Sequence, residues 1–202
     1  MEQNNISEQE NDLQTNEKKD NKKTDEKEST AKTILEYVIS IGIAIVAALL
    51  INNFILLNAK VPSGSMENTI MTGDRLFGFR LSYLMEDPKR GDIVIFKYPD
   101  NESINYIKRI IGLPGETVEI KDGEILINGE KIEEDYKTTK IDDPGIVEEP
   151  ITLGGDEFFV LGDDRQNSED SRMADIGNVK RTEIEGKVWF VIAPKDHFGF
   201  VK

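Results

Sequence analysis

The sequence predicts a mainly β, antiparallel fold preceded by one N-terminal transmembrane helix. Turn signals such as Asp122-Gly123 and Asn128-Gly129 punctuate the second half of the chain, and the latter lies between two apolar runs and predicts a hairpin. An uncharged stretch covers residues 37–59, and no sustained helical periodicity follows it. Five later runs have the β-branched and aromatic character of strands: Asp92–Tyr98, Ile104–Ile111, Thr117–Lys121, Phe158–Leu161 and Lys187–Ile192.

Composition excludes several kinds of site. The chain has 25 basic and 39 acidic residues, a net charge of −14, which disfavours nucleic acid as a partner. It has no cysteine, so disulfides, thiolate zinc sites and cysteine nucleophiles are excluded. One histidine, His197, excludes sites that need two. The adjacent carboxylates at 142–143 and 163–164 lack histidine or EF-hand spacing, so neither a metal nor another cofactor is expected.

The amino-terminal part divides into a tail and an anchor. The first 32 residues are almost wholly polar and lack aromatic residues, so residues 1–34 are predicted to form a disordered cytosolic tail. Residues 35–59 are predicted to be a transmembrane anchor, because an uncharged helix over 37–59 would span about 34 Å against a hydrocarbon core of about 30 Å.

The orientation of the anchor follows from the basic residues that flank it. Six lysines precede the span, whereas Lys60 and Arg75 are the nearest basic residues after it. The positive-inside rule therefore places the N-terminus in the cytosol and residues 60–202 on the extracytoplasmic face of the cell membrane. A cleaved signal peptide is the alternative, but the apolar run is too long and the tail before it is too long and too acidic.

A serine nucleophile is suggested by the segment 61–69, in which Ser63 and Ser65 flank a glycine. A serine hydroxyl attacks only when a neighbouring base accepts its proton. Lysine can be that base if it is neutral, which requires lowering its pKa from about 10.4 to between 7 and 8, a bias of about 4 kcal/mol. Burial among apolar groups is the usual source of such a shift.

Lys108 fits that requirement. Strand alternation places it on one face of the run 104–111 together with Ile104, Tyr106 and Ile110, whereas Arg109 points to the other face and needs an acidic partner. The alternative is an edge-strand lysine whose stem covers apolar surface while its amine reaches water. A third segment, Gly162–Arg172, is by itself typical of a hydrogen-bonded turn, but it could supply the groups that hold a neutral lysine in place.

Taken together, these segments resemble type I signal peptidases, the membrane-bound enzymes that remove signal peptides from exported proteins. The single anchor and the short extracytoplasmic part are similar to the Gram-positive branch. The resemblance covers the anchor and almost all of residues 60–202, and it is carried by Pro62–Met66, Gly73–Leu76, Arg90–Val94, Lys108–Glu116 and Gly162–Arg172.

The resemblance implies a serine endopeptidase with a Ser-Lys dyad. Ser65 would attack the scissile carbonyl and form an acyl-enzyme, with neutral Lys108 as the general base. The Ser63 hydroxyl and the Ser65 backbone N–H would form the oxyanion hole, and Ser168 would hydrogen-bond the Lys108 amine. Two ion pairs, Asp163 with Arg109 and Asp170 with Arg172, would brace the site, and the expected substrate-binding residues are Met66, Ile70, Tyr106 and Ile107.

The resemblance also implies the surroundings of the site. It predicts a partial-barrel antiparallel catalytic domain over residues 60–202, with a variable β extension at about 115–157. The expected partners are preprotein signal peptides, the phospholipid membrane and the protein export machinery. Two departures stand out: Asn68 replaces a common proline, and Asp164 replaces an asparagine and is expected to point towards solvent or Arg165.

Two other functions are compatible with parts of this pattern. One is a different Ser–Lys hydrolase, such as a self-cleaving repressor or a β-lactamase-like enzyme. The repressors lack this anchor and the Gly162–Arg172 run, and β-lactamases use a Ser-x-x-Lys helix, whereas Asn68 follows Ser65 here. The other is a membrane-tethered binding module without catalysis, which would tend to lose the set Ser63, Ser65, Lys108, Ser168 and Asp170.

Overall fold

The computed structural model describes residues 32–33, 35–99 and 101–201, so the predicted tail lies almost wholly outside the described residues. Helix α1 covers Leu35–Phe54, and within the described part of the chain it is the one helix long and apolar enough to cross a membrane. Its 20 residues correspond to about 30 Å at 1.5 Å per residue, which matches a hydrocarbon core.

The predicted anchor of residues 35–59 is too long at its carboxyl end. Helix α1 ends at Phe54, and Leu56–Lys60 form strand β1, which pairs antiparallel with β2, Arg75–Phe79. The Leu57 side chain is buried in the core. Residues 56–59 carry no charge, and absence of charge does not distinguish a helix in lipid from a strand buried in protein.

The described residues form two antiparallel sheets, which confirms the predicted fold class. The other strands in chain order are β3 (Ile93–Tyr98), β4 (Asn101–Gly112), β5 (Thr117–Lys121), β6 (Glu124–Ile127), β7 (Glu130–Lys131), β8 (Ile151–Thr152), β9 (Glu157–Leu161), β10 (Val179–Lys180), β11 (Ile184–Ala193) and β12 (Gly199–Phe200). The main sheet has the order β1-β2-β11-β3-β4-β9-β10, with β12 added on β11. The second sheet has the order β7-β6-β5-β8 and lies within the range predicted for the β extension.

Helical turns are short in residues 52–201. A single α-helical turn, α2, covers Ser82–Met85, and 3-10 turns cover Gly145–Val147, Arg181–Glu183 and Lys195–His197. The last of these is tied to the loop before β2, because His197 Nδ1 lies 2.8 Å from Asp74 Oδ1. That contact raises the pKa of the His197 imidazole, since the carboxylate favours its protonated form.

The hairpins of the second sheet form where their turn residues predict them. Asp122-Gly123 joins β5 to β6, and Asn128-Gly129 joins β6 to β7. All four residues have positive φ, between 54° and 83°, as the two central positions of a type I′ turn require. Asparagine, aspartate and glycine adopt this conformation at the least cost, so the local sequence specifies these two turns.

Residues 93–96 of β3 and residues 107–112 of β4 are buried on both faces of the main sheet. In β3, Ile93 and Ile95 pack in one core cluster, while Val94 and Phe96 pack in a second on the other face. The neighbouring β4 pairs with β3 as far as Arg109, and with β9 only from Arg109 onwards. Lys108 therefore lies in a rigid, well-packed strand, at the point where one edge of that strand becomes free.

The backbone of β2 approaches β11 so closely at Gly186 that a side chain does not fit there. A Cβ at Gly186 would lie 2.4 Å from the backbone oxygen of Phe79 and 2.8 Å from Leu57 Cδ1.

We expect Gly186→Ala to lower the free energy of unfolding by about 2 kcal/mol, because the backbone of a paired strand cannot move aside as a flexible side chain can. Gly155→Ala is the matched control, since nothing lies within 4 Å of its Cβ position. Urea unfolding of both variants checks this, and equal midpoints would contradict it.

Candidate active site

The segment that carries Ser65 is a closed loop anchored in the core. Val61 N donates to Asp74 O at 2.9 Å, and Gly73 N donates to Val61 O at 2.9 Å, so the two ends of the loop are joined. Between them, Ile70 N donates to Met66 O at 2.8 Å, which forms one helical turn. The Met66 and Ile70 side chains are buried beneath that turn. The backbone on both sides of the serine is therefore fixed.

The structure brings Ser65 and Lys108 together although they are 43 positions apart in sequence. Lys108 Nζ lies 2.6 Å from Ser65 Oγ. Lys108 is 3% exposed and Ser65 is 8% exposed, so water has little access to either group. The amine also lies 5.4 Å from the centre of the Tyr106 ring, on the face of β4 where alternation predicted it.

Burial lowers the pKa of the Lys108 amine towards the range that a general base needs. Desolvation lowers the pKa of Lys108 to about 8, because an ammonium ion loses its hydration there. The carboxylates of Asp170 and Glu169 act in the opposite direction, and the Arg172 guanidinium reinforces the lowering. With a pKa of about 8, roughly a tenth of the molecules carry the neutral amine at pH 7.

Arg109, the residue next to the base, has the acidic partner that its orientation required. Its Nε and NH2 donate to the two oxygens of Asp163 at 2.9 Å and 2.7 Å. Both side chains are almost fully buried, so the pair is bidentate and shielded from water. Thr69 completes it by donating its hydroxyl to Asp163, which also ties the pair to the Ser65 loop. Thr69 lies within the segment 61–69 that contains Ser65, but its bond to Asp163 was not predicted.

The second predicted ion pair shapes the loop after β9. Arg172 Nε and NH2 donate to the Asp170 oxygens at 2.8 Å and 2.9 Å. Gly162 N donates to the same carboxylate at 3.1 Å. A Cβ at Gly162 would lie 2.2 Å from Ser168 Oγ and 2.3 Å from the Ser65 carbonyl oxygen. Only glycine lets the loop approach the nucleophile this closely, and this role of Gly162 was not predicted.

Ser168 is not bonded as the sequence led us to expect. Its Oγ is buried and has no hydrogen-bond partner among the described residues, so it makes no bond to the Lys108 amine. The hydroxyl packs instead against Gly162, beside the Ser65 carbonyl. Burial of an unpaired hydroxyl is unfavourable. The hydrogen-bonding capacity of this hydroxyl is therefore unused in this structure.

Asp164 differs from its expected position. It is buried rather than solvent-facing, and its carboxylate accepts hydrogen bonds from Thr139 Oγ1 at 3.1 Å and Asn167 Nδ2 at 2.9 Å, with none from Arg165. The Asp164 N–H donates to the Ser65 carbonyl oxygen at 3.1 Å. The Asp164 side chain is thus bonded both to its own loop, at Asn167, and to Thr139, while its backbone N–H holds the nucleophile.

A cleft of about 330 Å³ opens over the two side chains. Of the expected substrate-binding residues, Met66, Tyr106 and Ile107 line it, as does Ser63. Ile70 does not, because the helical turn after Ser65 directs its side chain into the core. Residues that were not predicted to bind substrate also line the cleft, among them Ile104, Asn105, Asn167 and Glu169.

This arrangement is suited to acyl transfer. A hydroxyl and a buried amine of lowered pKa in contact can exchange a proton, and the hydroxyl opens into a cleft. Among residues 32–33, 35–99 and 101–201, no group of three or more His, Cys, Asp or Glu side chains is placed to hold a metal ion. The carboxylates of Asp163 and Asp164 are bonded to protein groups.

Comparison with known proteins identifies the family. The family described as "Signal peptidase, peptidase S26" matches residues 34–193. The chain belongs to this signal peptidase family. The matched range contains both Ser65 and Lys108 and the whole of the loop after β9.

Individual relatives agree with the family assignment. "Signal peptidase I S" of Bacillus subtilis (strain 168) is 39% identical over 82% of this chain and 92% of the relative. "Signal peptidase I" of Leptolyngbya laminosa is 38% identical over 82% of this chain and 83% of the relative. A crystal structure of a signal peptidase I from Enterococcus faecalis V583 is 34% identical and aligns with a TM-score of 0.41, over 50% of this chain and 97% of that chain.

Burial of the Lys108 amine makes stability depend on pH. The folded pKa of about 8 lies below the ordinary value, so burial is unfavourable at pH 7 by about 3 kcal/mol. We expect Lys108→Met to raise the free energy of unfolding at pH 7 by about 2 kcal/mol, after allowing for the lost bond to Ser65. Between pH 8 and 10.5 the wild type loses this penalty, so the difference should shrink.

Urea unfolding of the detergent-solubilised wild type and variant at pH 7 and pH 10 measures that difference. The other lysines are identical in the two proteins, so their titration cancels. A Lys108→Met variant that is no more stable than the wild type at pH 7 would show that the amine is not destabilised by burial.

Proposed function

We propose that this chain is a membrane-anchored serine endopeptidase that removes N-terminal signal peptides from exported preproteins. The observation that carries the mechanism is the 2.6 Å contact between Ser65 Oγ and the buried Lys108 Nζ. Family membership supports the reaction class, and the printed names of the relatives, "Signal peptidase I", support the substrate class.

In the acylation step, Ser65 Oγ attacks the scissile carbonyl carbon as its proton passes to neutral Lys108 Nζ. The carbonyl oxygen becomes an oxyanion, which the Ser65 N–H and the Ser63 hydroxyl would stabilise; one such donor contributes about 3 kcal/mol. Ser63 is exposed and lines the cleft, so it can reach a substrate. The intermediate collapses as the Lys108 ammonium protonates the leaving amine, and an ester on Ser65 remains.

Deacylation reverses the roles of the two groups. Neutral Lys108 takes a proton from a water molecule, the hydroxide attacks the ester carbonyl, and the Ser65 oxygen leaves and regains its proton from the Lys108 ammonium. Burial of the amine serves both steps, because each begins with the neutral form.

The substrate would bind as an extended strand along β4. Residues 105–108 pair with β3 on one side, and β9 joins the other side only from Arg109. The free edge lies along the cleft, where backbone hydrogen bonds can hold a peptide by β-augmentation. Met66, Tyr106 and Ile107 narrow the cleft, which suits the small residues that signal peptidases prefer before the cut.

Helix α1 would keep the enzyme at the membrane surface. The lysines before it favour a cytosolic N-terminus, and residues 60–202 would lie outside together with translocated substrates. An apolar patch in the second part of the chain, formed by Ile55, Phe77, Phe79, Trp189 and Phe200, suits contact with lipid. Tethering enzyme and substrate to one membrane raises their effective concentration. The export machinery that delivers preproteins would be a neighbour in that membrane.

Removal of either reacting group tests the mechanism. We expect Ser65→Ala and Lys108→Met each to lower the cleavage rate of a signal-bearing preprotein in detergent by about 10³-fold or more, because the two groups act as a unit. Lys121→Met is the control, since this exposed lysine lies in the second sheet. Densitometry of precursor and mature bands measures the rates. Cleavage that survives Ser65→Ala points to another nucleophile, and activity in Lys108→Met rules out the proposed base.

The pH profile tests the protonation state of the base. The value of kcat/KM should rise with pH through about 8, because the amine must be neutral in the free enzyme. Glu169→Gln removes a charge that raises the pKa of Lys108, so its midpoint should move to lower pH. Initial rates between pH 6 and 10 give both midpoints. A Glu169→Gln midpoint that is unchanged or higher than that of the wild type would disprove this coupling.

A further inference from the structure

A six-residue segment from the second sheet reaches the back of the active site. Residues 134–139, here called the strap, follow β7 and contain no helix or strand. The Tyr136 side chain packs against the core of the second sheet, so the strap is fixed at that end. None of its residues lines the cleft over Ser65, so the strap can act on catalysis only through other side chains.

The first contact of the strap is with the strand that carries the base. The Tyr136 ring lies against the Arg109 guanidinium, with the guanidinium carbon 3.7 Å from the ring centre. A cation over an aromatic face is attracted by the ring quadrupole, and most strongly where water is excluded. Arg109 is the residue next to Lys108 and is almost fully buried. The ring therefore fixes the backbone of β4 at the base.

The second contact is with the loop after β9. The Glu134 carboxylate accepts a hydrogen bond from Tyr136 Oη at 2.7 Å and forms an ion pair with Arg165. Arg165 is 2% exposed, and its Nε donates to Gly162 O at 2.9 Å. A buried guanidinium needs a carboxylate partner, so loss of Glu134 would displace Arg165 and the turn that begins at Gly162.

The third contact leads directly to the nucleophile. Thr139 N donates to Asp163 O, and Thr139 Oγ1 donates to Asp164 Oδ1, both at 3.1 Å. Asp164 N in turn donates to the Ser65 carbonyl oxygen. One short segment is thus connected to the base through Arg109 and to the nucleophile through Asp164.

We propose that the strap is a positioning element that sets the distance between Ser65 and Lys108, with Tyr136 and Glu134 as its principal residues. This inference rests on the proposed function, because it concerns the same two reacting groups. Tyr136 holds Arg109, Glu134 holds Arg165, and the hydrogen bond between them makes the two contacts one unit. A shift of the strap would move the amine and the hydroxyl relative to each other, although no residue of the strap itself lines the cleft.

The test compares two tyrosines with similar partners: Tyr83, which is buried, and Tyr136, which is half-buried. Tyr83, like Tyr136, donates its hydroxyl to a carboxylate, that of Asp92, and lies beneath an arginine, Arg181. It packs in a core cluster on the other face of β3, and neither its hydrogen-bond acceptor Asp92 nor Arg181 belongs to the strap. Tyr136→Leu and Tyr83→Leu therefore remove the same kind of packing, and only the first disturbs the strap.

We expect Tyr136→Leu to lower kcat for preprotein cleavage by about 10- to 100-fold while KM changes less than about twofold, since misplacement of reacting groups affects the chemical step. Tyr83→Leu should lower stability and leave kcat of the folded enzyme unchanged. Tyr136→Phe keeps the ring over Arg109 and should restore most of the activity. Glu134→Gln should lower kcat by several-fold. All are measured with the full chain in detergent, with rates corrected for the folded fraction.

A second readout separates this inference from the proposed function. The rate at which a serine-acylating reagent modifies Ser65, followed by mass spectrometry, reports on the dyad without any preprotein. Slower acylation in Tyr136→Leu, with normal acylation in Tyr83→Leu, supports the strap even if the wild type cleaves no preprotein. Wild-type values of kcat and acylation rate in Tyr136→Leu and Glu134→Gln would overturn it, as would equal losses in Tyr136→Leu and Tyr83→Leu.

Discussion

The burial of one amine, that of Lys108, is the constraint on which the rest of this site depends. An ammonium ion at that position loses its hydration, which lowers the pKa to about 8 and makes the neutral amine available beside the Ser65 hydroxyl. The same burial is unfavourable for folding by about 3 kcal/mol at neutral pH, so the surrounding structure must supply compensating stability. The buried parts of β3 and β4, and the loop anchored by Met66, hold the amine there.

The charges around the amine are arranged so that they do not undo this shift. Asp163 and Asp170 are both buried, and each raises the pKa of Lys108. Each is paired with an arginine, Arg109 or Arg172, and the Arg172 guanidinium offsets part of this effect by lowering the same pKa. Desolvation therefore remains the largest influence on the pKa of Lys108. The ion pairs therefore have an electrostatic role at the base as well as a structural role in the loop.

Much of this could be predicted from sequence, and the failures have physical reasons. The strand around Lys108 and the hairpin at Asn128-Gly129 were predictable because alternation and turn chemistry are local properties. The end of α1 was not, since residues 56–59 are uncharged whether they lie in lipid or pair with β2. The unbonded Ser168 hydroxyl, the close approach at Gly162 and the strap were also out of reach, because each depends on contacts between segments far apart in the chain.

The turn after the nucleophile contains a position, Asn68, whose backbone conformation can vary without displacing Ser65. Asn68 has a φ of 86°, a left-handed conformation that asparagine tolerates and that proline cannot adopt, because its ring fixes φ near −65°. The proline that the resemblance led us to expect at this position would need a different backbone path. The neighbours of Asn68 are held independently: Met66 lies in the core, and Thr69 is bonded to Asp163. Since Ser65 is fixed by those anchors and by Asp164, the conformation at residue 68 can vary while the nucleophile keeps its place.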